Sequence, residues 1–310
     1  MMQEKNISGG KNLELKHALQ SGIIICDGAM GTELQKRGLG RGVTPDSWNM
    51  THPDQVKAVH EAYIRAGAQA ILTNTFGANA VRLEKDSRYS VQQLNHAGAK
   101  IARECAGQEV LVFGDIGPTG REDQLPPYGN QPEQVFYDAF REQAVALAEA
   151  GVDAIIVETM SSLAEAVIAV RAANENTSLP VICSMSFARP PASRPDDFRT
   201  PWGDAISEIV DNLTRTGAEV LGANCGALVE EMPQLAKKMR ELTKLPLIFE
   251  VNAGRPRVDE EYRSIYSLDP QGLAEIACKL VESGANIVGG CCGTTPEHIA
   301  AIKTRLSGSG

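Results

Sequence analysis

The sequence predicts an α/β protein built as a single (β/α)8 barrel. Two observations carry that expectation: eight short apolar runs recur along the 310 residues, and amphipathic segments with helical spacing lie between them. The runs are apolar throughout, as strands covered by helices on both faces of a parallel sheet must be. Eight such units suffice to close a barrel, whereas periodicity alone still admits a doubly wound open sheet.

Each element has a local reason. GIIICDG (22–28) is β-branched and apolar until Asp27 and Gly28, where the chain should leave the sheet. PDQVKAVHEAYIRAGA (53–68) opens on Pro and repeats its apolar residues at helical spacing, and AILTNTF (70–76) follows as the second strand. VLVFGDIG (110–117) is the third. PEQVFYDAFREQAVALAEAG (132–151) then shows Pro at entry and Gly at exit, the asymmetry expected of a helix. AIIVET (154–159), the helix SLAEAVIAVRAA (162–173), PVICSMSF (180–187), VLGANCG (220–226) and PLIFEVN (246–252) continue the alternation. The helix PQGLAEIACKLVESGA (270–285) and the strand NIVGGCCG (286–293) complete it. AGA or GAxA-like turns at 66–70, 150–154, 216–220 and 283–287 mark tight connections at one end of the barrel. PTGREDQLPPYGNQPEQ (118–134) and ARPPASRPDDFRTPWGD (188–204) exceed ordinary connectors and belong at the other end, either as solvated loops or as a rim for substrate or a partner domain.

Composition removes several classes. Thirty Lys and Arg against 39 Asp and Glu leave a net charge of −9, and no stretch concentrates basic residues, so nucleic acid is not an expected partner. No apolar run approaches the length of a membrane span, so no membrane association is expected either. The polar start MMQEKNISGGKNLELKHAL lacks a secretory apolar core, which places the chain in the cytoplasm with its seven Cys reduced. Cysteine usage then points to metal or catalysis.

In such a barrel the strand ends and the loops after them build the site. Those ends carry Cys26, Asp27 and Gly28; Thr73, Asn74 and Thr75; Glu158; Asn224 and Cys225; Glu250 and Asn252; and Cys291 and Cys292. An isolated vicinal pair can be a strained disulfide or plain packing. Here Gly289, Gly290 and Gly293 bracket the pair, and Cys225 sits in a similar turn, GANCG. Three convergent soft ligands select a thiophilic ion, with Zn2+ the default, and leave the open position of a catalytic site. Cys26, Cys105, Cys183 and Cys278 read as small buried residues. His17, His52, His60, His96 and His298 show no paired ligand spacing, which disfavours a histidine-rich hydrolase site. Asp115 before Gly-Pro reads as a turn former, Met185 as wall packing and Glu250 as an outer partner of the metal site.

DGAMGTELQKRG, ILTNTFGAN, GANCG, FEVNAGRP and GGCCGTTPEHI together resemble the homocysteine S-methyltransferase family, including the homocysteine-binding module of cobalamin-dependent methionine synthase. The likeness runs from about Leu13 to Ile302, the expected core of one TIM-type barrel domain over 1–310. It implies zinc held by Cys225, Cys291 and Cys292, the catalytic set, with Asn252 of the VNAG segment either in the fourth position until substrate displaces it or capping a loop. It further implies that Asp27 and Glu158 hold the amino group of L-homocysteine while strand-end backbone receives its carboxylate. Gly28, Thr73, Asn74, Thr75 and Asn224 are the remaining candidate substrate-binding residues, and the two Thr and Asn74 can equally satisfy backbone groups at the strand end.

An alkyl thiol near pKa 8.5 is mostly protonated at neutral pH, so methyl transfer to it requires ionisation that a metal can supply. The donor is open among a corrinoid-bound methyl, S-methylmethionine, S-adenosylmethionine and betaine; the VNAG version resembles the cobalamin-dependent branch, which implies a methylcorrinoid protein or domain as partner. Two other classes remain as alternatives. A zinc-assisted lyase on the same barrel would want a His-rich site or a strand-end Schiff-base Lys, and a non-catalytic zinc or thiol-binding module would bind without transfer.

Overall fold

A computed structural model describes residues 9–83, 88–226, 228–255, 257–258 and 264–308. Its parallel strands are β1 (Ile24–Ile25), β2 (Ala70–Leu72), β3 (Leu111–Ile116), β4 (Ala154–Met160), β5 (Val181–Met185), β6 (Val220–Asn224), β7 (Leu247–Val251) and β8 (Ile287–Gly290). From β2 to β8 each strand pairs with its successor in sequence, and β8 pairs back with β1. The ring closes between β1 and β2 through a parallel bridge from Cys26 to Ala70. Gln69 reinforces that seam: its N–H donates to Ile25 O at 2.7 Å, and its Oε1 accepts from Ile25 N at 3.1 Å. A doubly wound sheet starts in the middle and winds outward in both directions, so this order excludes it.

Helices α1 (Pro53–Arg65), α2 (Val91–Ala106), α3 (Glu133–Glu149), α4 (Leu163–Asn176), α5 (Ile206–Thr216), α6 (Met232–Leu242), α7 (Pro270–Glu282) and α8 (Pro296–Ser307) surround the strands. Caps fix their starts. Ser90 and Gln93 form a reciprocal capping box on α2, and Asp269 accepts from Gly272 N at 2.8 Å on α7, where Pro270 follows. Gly67, Gly151, Gly217 and Gly284, the glycines of the repeated turns, all take positive φ, which explains why glycine recurs where these helices hand over to the next strand.

Side chains alternate across each strand with period two. Ile24, Ala70, Phe113, Ala154, Ile156, Ile182, Val220, Ile248 and Ile287 fill the barrel interior, while Ile25, Ile71, Val112, Ile155, Cys183, Leu221, Phe249 and Val288 pack outward with the helices. The same parity carries polar residues inward at the next level: Asp115 lies two residues beyond Phe113, Glu158 two beyond Ile156, Ser184 two beyond Ile182 and Glu250 two beyond Ile248. The interior is therefore apolar at one level and acidic at the next.

Three features depart from the sequence expectations. The polar N-terminal stretch contributes a helix, Gly9–Ser21, whose Leu15 is buried with the interior cluster. The β1 and β2 ladders are shorter than their apolar runs, because beyond Cys26 and Leu72 the backbone turns to build the mouth, as in the bond from Thr75 N to Thr73 O. Last, an antiparallel ribbon pairs Arg257–Val258 with Ser264–Ile265 after β7. The long segments after β3 and β5 meet through Tyr128 and Trp202, whose ring centroids are 4.6 Å apart. Among the described residues no helix is long and apolar enough to cross a membrane.

Candidate active site

Cys225 follows β6, and Cys291 and Cys292 follow β8. Their Sγ atoms all lie within 4.8 Å of one another, with Cys225 and Cys292 3.9 Å apart. All seven cysteines are free thiols, so the vicinal pair is not a disulfide. Cys225 has φ 55°, and among the described residues only Thr159, at 58°, shares the left-handed region without being glycine. Such conformations persist where surrounding structure enforces them, and they cluster at functional sites. Hydrogen bonds from Cys291 and then Cys292 pull the Cys225 thiol down to about 3, opposed by burial. The donors move the other way: Cys291 is raised, first by its bond to Cys225, and Cys292 is pushed up to about 12 for the same leading reason. Cys291 and Cys292 thus both favour the ionised form of Cys225.

Asn252 lies against this trio. Its Nδ2 donates to Gly226 O at 3.3 Å, and its side chain also hydrogen-bonds Cys225. Its buried Oδ1 has no hydrogen-bond partner. Three thiols beside an unpartnered amide oxygen form a donor set that fits a thiophilic divalent ion. Tyr266 packs against the trio, with its hydroxyl bonded to Cys292 and its ring against Gly293, where a Cβ would meet the ring at 2.1 Å.

The thiols open into a cavity of about 380 Å³ that Asp27, Asp115, Glu158 and Glu250 also line, with no Lys, Arg or His among the lining residues. Larger grooves of about 660 and 610 Å³ lie elsewhere, one among outer-helix residues and one at the opposite end of the barrel. Burial raises all four carboxyls. Glu158 is pushed up to about 8, by burial first and then by the negative charge of Cys225. Asp115 and Glu250 are raised by burial and by Glu158, and each keeps one buried oxygen without a partner. Asp27 is raised by burial, although its Oδ2 accepts from Leu72 N at 3.0 Å. Four buried acids, with no Lys, Arg or His among the described lining residues, make a pocket whose chemistry suits a cation.

Asp27, Gly28, Thr73, Asn74 and Glu158 line this cavity with the three cysteines; Thr75, Asn224 and Asn252 stand behind its wall. Thr73 and Thr75 share a 2.6 Å hydroxyl contact and bond the backbone of Asp115, at its N–H and its carbonyl respectively. Asn74 spends its Nδ2 on Pro45 O and Asn49 Oδ1, at 2.8 and 2.9 Å. Gly28 leaves room for Thr294 and Tyr63, since a Cβ there would sit 2.6 Å from Thr294 Oγ1. Asn224 holds Glu158 Oε2 at 2.8 Å.

Asp115 corrects a sequence expectation: it stands inside β3 with its side chain in the cavity wall, not in a turn. Glu250 likewise fronts the cavity and bonds Cys26, rather than only backing a metal ligand. Asp115 lies inside its apolar run, so only the inward parity of β3 marks it, whereas Glu250 already stands among the strand-end residues. Nothing in the sequence signals Tyr266, which arrives from the ribbon after β7.

A family profile described as homocysteine S-methyltransferase matches residues 24–306. Methionine synthases from Mycobacterium leprae and Mycobacterium tuberculosis are 30% and 31% identical over 313 residues; in each case the match takes in 95% of this chain and 25% of the relative. The chain thus spans about a quarter of the length of these curated relatives. Among solved structures, the metallated form of the homocysteine methyltransferase MmuM from Escherichia coli superposes with a TM-score of 0.78 at 25% identity, covering 94% of this chain and 99% of that one. With thiols, acids and barrel in the positions described, the chain belongs to the homocysteine S-methyltransferase family.

Proposed function

We propose that this barrel binds L-homocysteine and carries its methylation to methionine, with zinc as the resident metal. The convergence of three thiols from two strands beside a buried acid set, in one cavity, is the observation that carries the reading. Cys225, Cys291 and Cys292 would hold the ion, and Asn252 Oδ1 is the donor left over for it before substrate arrives. When bound, zinc supplies Lewis acidity that keeps the substrate sulfur ionised at neutral pH.

The chain's own groups do the rest. The substrate ammonium enters among Asp27, Glu158 and the unpartnered oxygens of Asp115 and Glu250, and its charge draws Glu158 back toward the ionised form. Backbone N–H groups at the strand ends near Gly28 receive the carboxylate, while Thr73, Thr75 and Asn74 keep that wall in place. Held at both ends, the amino acid presents its sulfur toward the open mouth for in-line displacement on the donor's methyl carbon: the S–C bond forms as the donor's bond to that carbon breaks. No general base acts in the transfer itself, because the thiol proton leaves to solvent through the open mouth when the sulfur binds, before attack. The sulfur's charge is relieved as the bond forms, so the acidic surroundings favour the transfer.

The donor in this reading is a corrinoid-bound methyl group carried on a separate protein or domain. The VNAG segment and the higher identity to methionine synthases than to MmuM support that choice.

Zinc-loaded protein incubated with L-homocysteine and, in parallel, methylcobalamin, S-methylmethionine, S-adenosylmethionine or betaine tests it by methionine formation. Methionine from the corrinoid donor is expected. Methionine only from another donor would overturn the donor assignment and leave the reaction standing. No methionine from any donor, despite tight binding of zinc and homocysteine, would show a binding module instead.

A further inference from the structure

Five polar contacts of the mouth meet on one side chain. Asn224, fully buried at the end of β6, donates from Nδ2 to Glu158 Oε2 at 2.8 Å and to Thr159 Oγ1 at 2.7 Å, and approaches Cys291 Sγ at 3.8 Å. Its Oδ1 accepts from Thr159 N at 2.9 Å and from Ser184 Oγ at 2.8 Å. A carboxamide has two N–H donors and one oxygen with two lone pairs, so these contacts consume its whole capacity. Nothing is left for a substrate.

The bonds lie where the backbone is unusual. Thr159 and Cys225, the two non-glycine residues in the left-handed region among the described residues, directly follow Glu158 and Asn224. Asn224 grips Thr159 by both its N–H and its hydroxyl, which fixes the turn leading out of Glu158. Being pinned itself, it also fixes the point from which Cys225 departs. A neutral amide suits this place. It donates to Glu158 and approaches the Cys291 sulfur without adding a charge that would cancel or repel that of the acids. Lys or Arg would do the first, and a carboxylate would leave the acids without a donor.

We propose that Asn224 is a positioning residue for two ligands at once: through Glu158 it sets the carboxyl that receives the substrate ammonium, and through the turn after β6 it sets Cys225 and Cys291 for the metal. The proposal rests on the reading of the site as a zinc and homocysteine site.

A double-mutant cycle of Asn224→Ala and Glu158→Gln tests it. Zinc affinity is measured on metal-free protein by competition with a chromophoric chelator, and L-homocysteine affinity on zinc-loaded protein by calorimetry. Each single variant is expected to weaken homocysteine about tenfold, the size of one charge-assisted hydrogen bond. The double variant should lose no more than either single, because Asn224 acts on this ligand through Glu158. Zinc should behave differently: Asn224→Ala weakens it about tenfold in both backgrounds, and Glu158→Gln alone leaves it within about twofold. A purely structural side chain would lower both affinities alike in every background.

Homocysteine losses that add in the double variant, or zinc affinity untouched by Asn224→Ala, would overturn the proposal. Should the Ala variant not fold, Asn224→Asp carries the same cycle: it keeps an oxygen for Thr159 N and Ser184 Oγ, replaces the donor to Glu158 with an acceptor and adds charge beside it, so homocysteine binding should fall at least as far. Normal binding of both ligands by that variant would overturn the proposal equally. Wild-type protein that binds neither zinc nor homocysteine would instead bring down the functional reading beneath it.

Discussion

Asp27 Oδ2 accepts from Leu72 N at 3.0 Å, so a carboxyl of the cavity also completes the backbone seam between the first and second strands. Where β1 stops after Ile25, this side chain stands in for a strand carbonyl. One of its oxygens is thereby committed to the barrel.

Asp27→Ala and Asp27→Asn should therefore separate. The Ala variant leaves Leu72 N without its partner and is expected to lose about 1–3 kcal/mol in urea unfolding. The Asn variant can still accept that bond and should unfold near wild type, while homocysteine affinity falls about tenfold with the charge. Equal stability losses in the two variants would show that the seam does not depend on this acceptor.

Removing any one of Cys225, Cys291 or Cys292 as Ala should abolish zinc retention after gel filtration, measured by elemental analysis, together with methionine formation. Cys183→Ala is the matched control. That thiol is fully buried in β5 away from the trio, so its loss should affect stability and leave bound zinc unchanged. A Cys292→Ala protein that keeps a full equivalent of zinc would refute the three-thiol site.

Glu165 gives a pH dependence away from the thiols. It accepts from Thr119 N at 2.9 Å and from Thr119 Oγ1 at 2.5 Å, and its other oxygen is buried without a partner. Burial pushes its carboxyl up to about 7 from an ordinary 4.5. The folded chain thus binds more protons than the unfolded chain between those values, and stability falls as pH rises through that window. Glu165→Gln cannot ionise and should flatten that part of the decline, by up to about 3 kcal/mol between pH 4.5 and 8. Urea midpoints at both ends of the window check this; an unchanged slope would remove Glu165 as the cause.

Leu15→Ala should dissociate stability from function. Leu15 is buried in the interior cluster with Ile24 and Ile287, at the end of the barrel opposite the thiols. Its truncation is expected to cost about 2–3 kcal/mol in thermal unfolding while homocysteine affinity stays within about twofold. A large affinity loss would mean that the floor of the barrel communicates with the mouth.

What the residues determined unaided was everything that depends on local pattern. Continuous apolar runs alternating with helical spacing announced eight strand and helix units, glycines at 67, 151, 217 and 284 marked the tight helix-to-strand turns, and glycine-bracketed cysteines marked a soft-ligand site. What only the tertiary structure decided depends on closure. Curling the sheet until Cys26 meets Ala70 turns one parity of every strand toward a common axis, and so brings Asp115 and Glu250 into the wall with Asp27 and Glu158. The short ladders of β1 and β2, the Leu15 floor and the arrival of Tyr266 over Cys292 are likewise relations between distant segments. A linear pattern carries which face a residue takes, but not which other faces it will meet.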